Sequence, residues 1–219
     1  DDRPDLFWPL LEEAIGNAIS VQQIFGGGQT YRLVELRMQH QLFDERLELA
    51  YGRLSTTSDF LTSPFYCQFV TNGICGQPTS PFFNMPNGLT AYPVATWGAV
   101  ARAQTANKEV YGMFGLYDGG PVGEAGGDDH GVDFDFEDNG VLLIAEIGYQ
   151  PEKGLFELPA RYSLGAFHHT GDFPDVAVNA EGANLFVSGG IPRETTGQDG
   201  YYMILEQMFY RESPSTDRG

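Results

Sequence analysis

Three things are scarce in this sequence: long apolar runs, basic residues and cysteines. No stretch of eighteen apolar residues exists, and mean hydropathy is slightly negative at -0.25. That excludes a helical membrane span, but not a membrane barrel, whose strands alternate so that their hydropathy averages out. Only 12 Lys and Arg stand against 30 Asp and Glu, a formal net charge of -18. So acidic a chain is no partner for nucleic acid, whose phosphates call for basic surfaces. The two cysteines, Cys67 and Cys75, lie in a loop rich in Pro, Asn and Gly. A zinc site would need two more ligands nearby, and the loop holds none. The pair reads either as a disulfide, implying an oxidising compartment, or as two unpaired loop thiols.

Metal sites find little support elsewhere. His168 and His169 are adjacent, so in a strand they point to opposite faces. Within the acidic run 128–138, Asp133, Asp135 and Glu137 resemble the start of an EF-hand loop. Asp138 then stands where the turn glycine belongs, and Ile144 where the bidentate Glu belongs. A solvated charge run is the favoured reading over an external calcium site bridging lipopolysaccharide phosphates. No cofactor is expected. The opening Asp1-Asp2-Arg3-Pro4 is neither basic nor followed by an apolar core, so a secretory leader has been removed or the chain begins within a longer one.

What is present points to strands. Twenty-eight glycines and sixteen phenylalanines favour strands and turns, and 219 residues suit one large all-β domain or two small ones. The clearest segment is YRLVELRMQHQLFDERLELAYGRL, residues 31–54. Val34, Leu36, Met38 and Leu42 alternate with Glu35, Arg37, Gln39 and Gln41. After Asp44-Glu45, Leu47, Leu49 and Tyr51 alternate with Arg46, Glu48, Ala50 and Gly52. Period-two alternation predicts two strands with one apolar and one polar face, each about as long as a tilted membrane strand.

Residues 1–16 read as a lead-in broken by Pro9, and 17–219 as one β-domain. Eight strands are expected near 17–25, 31–43, 46–54, 95–105, 110–117, 141–149, 158–169 and 201–210. Short turns at 44–45, 107–108 and 151–154 alternate with long loops at 55–94, 118–139 and 170–199. An up-and-down antiparallel meander would put every short turn at one end and every long loop at the other, as in outer-membrane barrels.

Three stretches now carry a family likeness: AYGRLSTTSDF, SPFYCQFVTNGICGQPTSPFFN and LTAYPVATWGAVARAQ. With the opening ISVQQIFGGGQTYRLVELRMQHQLFDERLELAYGR, and with GVLLIAEIGYQP and DGYYMILEQMFYRE, the chain resembles the carbohydrate-selective porin (OprB) family. The resemblance implies an all-β transmembrane β-barrel of sixteen strands, of which this chain holds about half. It implies facilitated diffusion of small sugars such as glucose across a Gram-negative outer membrane, with lipid and lipopolysaccharide outside the wall. The chain is then a fragment or a shortened member, pairing with a missing half-barrel or a homo-oligomeric neighbour.

Sugars present many hydroxyls and no charge, so a selective channel needs paired donors and acceptors with little net charge, plus aromatic surface. Glu35, Arg37, Arg46, Glu48, Arg102, Glu146 and Arg161 lie on the polar sides of the strands and nearly cancel. Arg53, in the family-like GR run, joins them at the constriction. The loop 55–94 is expected to fold inward, with Phe65, Tyr66, Phe82, Phe83 and Tyr92 as stacking surface or as packing against the wall. Trp97, Tyr51, Tyr149 and Phe209 suit an interfacial aromatic girdle. The rival reading is a secreted all-β carbohydrate-binding or carbohydrate-processing protein, with Glu35 and Glu48 facing each other as a carboxylate pair. On the preferred reading the chain is no enzyme.

Overall fold

Alternating side chains become one antiparallel sheet. The computed structural model describes residues 33–66, 68, 80–85, 88–92, 94–120 and 140–213. Its strands are β1 (Leu36–Leu42), β2 (Leu47–Leu54), β3 (Thr96–Gln104), β4 (Val110–Asp118), β5 (Val141–Tyr149), β6 (Ala160–Asn179) and β7 (Pro192–Gln207). They pair in chain order, every pair antiparallel, and the sheet is not closed among the described residues. The expected lead-in 1–16 and first strand 17–25 lie outside the described residues, as do Cys67, Cys75 and the acidic run 128–138.

Register sorts the two faces. One line runs Leu49–Ala101–Phe114–Ala145–Ala166–Tyr201, and a second runs Leu47–Ala103–Gly112–Ile147–Leu164–Met203. Both are apolar, and their large members Leu49, Phe114, Ile147, Leu164, Tyr201 and Met203 are exposed. Contiguous apolar surface on this scale is rare on soluble monomers. The opposite face changes chemistry row by row. Near the long connections, Tyr117 and Leu142 share a row with His169, and Val100, Ile144 and Phe167 form the next. These rows are buried with Phe60, Leu61, Met85 and Leu89 from the connection after β2. Strand β5 (VLLIAEIGY) therefore carries apolar residues on both faces: one side points outward and the other lies under the loop.

Glycines let aromatic rings lie flat on this inner wall. A Cβ on Gly148 would sit 2.2 Å from the Tyr111 ring, and one on Gly165 would sit 2.1 Å from that of Tyr202. We expect Gly148→Val to lift Tyr111 off the wall and to lower stability by about 1–3 kcal/mol, the usual range for overpacking. Urea unfolding in detergent micelles is the measurement; a midpoint equal to the parent's would count against this account.

Several boundaries differ from the sequence expectation. The first turn spans 43–46, with Phe43, Asp44 and Glu45 all at positive φ (53°, 56° and 63°). Arg46 thus sits in the turn, its Nε donating to the Phe43 carbonyl, rather than on the polar face of a strand. The turn after β5 is longer than 151–154 because a 3₁₀ turn, Leu155–Glu157, precedes Ala160. The largest difference is at 170–199. Most of that stretch is not a loop but the continuation of β6 and β7 as a projecting hairpin. A register shift in the β6–β7 ladder lies between His169 and Asp172, yet β6 keeps its alternate burial through His169, Gly171 and Phe173. Beside the buried Phe173, side-chain bonds fasten the hairpin: Thr196 donates to Asp172 (2.6 Å) and Arg193 to Asp175 (2.7 Å). The backbone N–H of Ala177, then Arg193, holds the Asp175 carboxyl below the usual carboxylate range.

Candidate functional site

One inner row crosses all seven strands: Gln41, Glu48, Arg102, Met113, Glu146, Gly165 and Tyr202. It marks the change from the apolar rows under the loop to a polar wall toward the short turns. Four strands hold a closed network at one end of the row. Glu146 is 4% exposed. Its Oε1 accepts from the Tyr111 hydroxyl at 2.6 Å and from Arg161 at 3.3 Å, and its Oε2 accepts from the Tyr202 hydroxyl at 2.7 Å. Arg161 also donates to the Tyr111 oxygen at 3.1 Å and lies 3.7 Å from Glu206, its register partner. A buried carboxylate is tolerable only with this degree of pairing.

The loop is tied to that network. After β2 the chain enters α1 (Thr56–Asp59) and returns through α2 (Ser80–Asn84). Thr90 Oγ1 accepts from the Thr56 backbone N–H at 2.8 Å, and the Thr90 carbonyl from that of Thr57 at 3.1 Å, so the outgoing and returning limbs are pinned together. Phe60 meets Tyr117 edge-on, with ring centroids 6.4 Å apart. Two arginines reach from the wall to the loop: Arg37 Nη2 to Asp59 (2.7 Å), and Arg161 Nη1 to the Thr62 carbonyl (2.9 Å). The described residues 55–62 and Thr90 are thereby held against the inner face.

An exposed apolar outer face, a charged inner row and a long connection folded across it are the parts of a channel wall. The family description "Carbohydrate-selective porin, OprB family" matches residues 11–219. The chain belongs to that family. Porin B of Pseudomonas aeruginosa is 27% identical over 209 residues, which cover 93% of this chain and 44% of that protein. The high-pH structure of OprB from Pseudomonas putida superposes with a TM-score of 0.70 at 21% identity, covering 85% of this chain and 42% of the other. The fold is thus that of a porin barrel wall, and the chain spans less than half the length of these two relatives.

Against that frame the expected site residues divide. Glu48, Arg102, Glu146 and Arg161 share the inner wall, and Arg37 and Glu35 bond each other at 2.7 Å near its loop end. Arg37 and Arg161 are engaged with the loop, so they position it. Arg53 does not join the row. It pairs in register with Leu36 and Trp97, is 8% exposed, and donates from Nε to the Leu33 carbonyl at 2.9 Å. Arg46 remains in the turn. Glu35 and Glu48 do not face each other, which corrects the carboxylate pair of the rival reading. Glu48 pairs with Gln41, and Glu35 lies beyond Leu36 at the far end of β1, roughly 20 Å away at strand rise.

The loop aromatics divide too. Phe82 packs against the buried cluster, while Phe65 and Tyr92 are exposed and Tyr66 is half-buried. The side chain of Phe83 lies outside the described residues. Sequence reasoning missed the partners that complete the network: Tyr111, Tyr202 and Glu206. Their signal was weak but present, since each falls in register with an inner-face glycine or arginine. We expect Arg161→Met to release Thr62 and to cost about 1.5–3 kcal/mol, the scale of a charged hydrogen bond. The check is faster proteolytic nicking of the 55–66 segment in the folded protein; nicking at the parental rate would show that the loop is held elsewhere.

Proposed function

We propose that this chain forms part of the wall and the constricting loop of a Gram-negative outer-membrane channel through which small neutral sugars diffuse. The observation that carries the reading is the division of the sheet. Exposed Leu, Ile, Phe and Met side chains cover one face, as lipid contact requires. The other carries Gln41, Glu48, Arg102, Glu146 and Arg161, donors and acceptors in near-balanced charge. Balanced charge suits a neutral, hydroxyl-rich solute better than an ion, and selectivity in such a pore comes from its radius and lining. Lipid and lipopolysaccharide then surround the outer face, with Tyr51, Tyr149 and Phe209 among the exposed rings at its borders. The channel carries out no chemistry on its solute. Among the described residues β1 and β7 are the sheet edges, and they call for further strands, from the same chain or from a neighbour, because lipid leaves an unpaired edge unsatisfied.

The native protein in planar bilayers should pass a small-ion current that falls in a graded, saturable way as D-glucose is added. A current unaffected by glucose and by other monosaccharides would remove the sugar reading. Solubility of the folded protein without detergent or lipid would remove the membrane reading.

A further inference from the structure

The inner row is satisfied at one end and open at the other. At one end both Glu146 carboxylate oxygens have donors. At the Glu48 end, a carboxylate and a guanidinium sit directly across from each other on β2 and β3, yet they form no ion pair. Among the described residues Glu48 makes no side-chain hydrogen bond, and neither does the Gln41 amide. Arg102 is drawn away from Glu48 by two contacts. Its guanidinium lies over the Tyr111 ring, 4.4 Å from the centroid, and its Nη1 approaches Met113 Sδ at 3.9 Å. A guanidinium has five N–H donors in a rigid fork, so among the described residues most of them are left without an acceptor. Opposite charges one strand apart that do not close upon each other leave a space, and that space is real. A cavity of about 260 Å³ is lined by Gln41, Glu45, Glu48, Arg102, Gln104 and Lys108. Its floor is fixed, because Lys108 bridges Glu45 at 2.7 Å and Gln104 donates to the Glu45 carbonyl at 2.8 Å.

We propose that this cavity is a sugar station, on the short-turn side of the part of the wall covered by the loop. It binds one monosaccharide through neighbouring hydroxyls. The inference rests on the channel reading and adds a location and an assignment of roles. The Glu48 carboxylate accepts from two hydroxyl protons, and the Arg102 fork donates to two hydroxyl oxygens. The amides of Gln41 and Gln104 supply either sense. Two acids and two bases line the cavity, so it discriminates against charged sugars. The volume lies just under the roughly 300 Å³ at which drug-sized pockets begin, which suits a single ring rather than an oligosaccharide. Arg37 and Arg161 have no such role, since they already hold the loop.

The test uses the native protein in planar bilayers, reading the concentration of D-glucose that halves the small-ion current. Glu48→Gln and Arg102→Gln should each raise it about tenfold, the equivalent of one charge-assisted hydrogen bond. Each should also change the preference among charged analogues. Glu48→Gln leaves a net positive cavity and should improve block by gluconate, while Arg102→Gln should improve block by glucosamine. Gln41→Ala alters no charge and should raise the glucose value by a smaller factor, which secures the test if a charge change impairs folding. If glucose blocks the parent channel but these variants stay within twofold of it, with analogue preference unchanged, the station is refuted and the channel survives. If glucose does not block the parent at all, both readings fall.

Discussion

Replacing Glu146 with leucine should lower the stability of the folded sheet by about 3–5 kcal/mol, the range measured when one member of a buried ion pair is removed. Leucine fills nearly the same space, so little of the loss would come from a cavity. The loss would come from what remains behind. Arg161, its side chain 19% exposed, would keep only Glu206 at 3.7 Å as a counter-charge. The hydroxyls of Tyr111 and Tyr202 would lose the carboxylate that accepts from both. Glu146→Gln should fall between parent and Leu, because an amide offers one acceptor oxygen where the carboxylate offers two. The double variant Glu146→Leu/Arg161→Met should recover part of the loss, since removing both partners spares the cost of an orphaned charge. Urea midpoints in detergent micelles decide the matter. A Leu variant as stable as the parent would mean that the network spans the wall without supporting it.

The strands β1 to β5 were legible because a single variable controls them. One face is apolar over most of its length, so alternation survives from Val34 to Tyr51, broken only by His40 and the 43–46 turn, and returns at Trp97. Where it fails, a second burden is at work. The run Leu142-Leu143-Ile144-Ala145 looks undirected in sequence because Leu143 and Ala145 face outward while Leu142 and Ile144 pack under the loop. Beyond Phe173, which still packs into the buried cluster, the strands leave the apolar layer. Only Phe173 carries the inner apolar period past His169, and the ladder of β6 and β7 continues on backbone bonds and the Asp172–Thr196 and Asp175–Arg193 contacts. Turn lengths were underestimated for a related reason. Three successive residues at positive φ, Phe43 to Glu45, do not belong to the Gly and Asn types that announce such backbone.

The candidate site was legible as a set of charges and illegible as a set of roles. Alternation placed Glu48, Arg102, Glu146 and Arg161 on one wall, but it carries no information on which long side chains spend their donors on the protein itself. Arg161 and Arg102 look alike in sequence, each in a strand directly after an alanine. Only the geometry separates them: one reaches the Thr62 carbonyl on the loop, the other lies on Tyr111 with its fork largely open. The glycines carried the missing clue. Gly148 and Gly165 are where rings from the neighbouring strand lie, and those rings belong to the phenols that complete the Glu146 network.

Phe114→Arg should block membrane assembly of the sheet, at a cost of about 2–4 kcal/mol if the position lies at the bilayer midplane. Phe114 is 51% exposed and occupies the centre of the outer line between Ala101 and Ala145. In water such a surface would aggregate; in lipid it is the favourable side, and a guanidinium there has neither water nor a counter-ion. Leu116, 44% exposed on the same face, is one row nearer the long loops, so Leu116→Arg should cost less as the charge approaches the headgroups. Gln39→Arg adds the same charge to the inner face of β1, where the side chain is exposed, and should change stability by no more than about 0.5 kcal/mol. Refolding the three variants into lipid vesicles and measuring the folded fraction gives the order. Assembly should fail most for Phe114→Arg, less for Leu116→Arg and hardly at all for Gln39→Arg. If Phe114→Arg folds as well as Gln39→Arg, the two faces do not differ in solvent, and the sheet cannot be separating lipid from water.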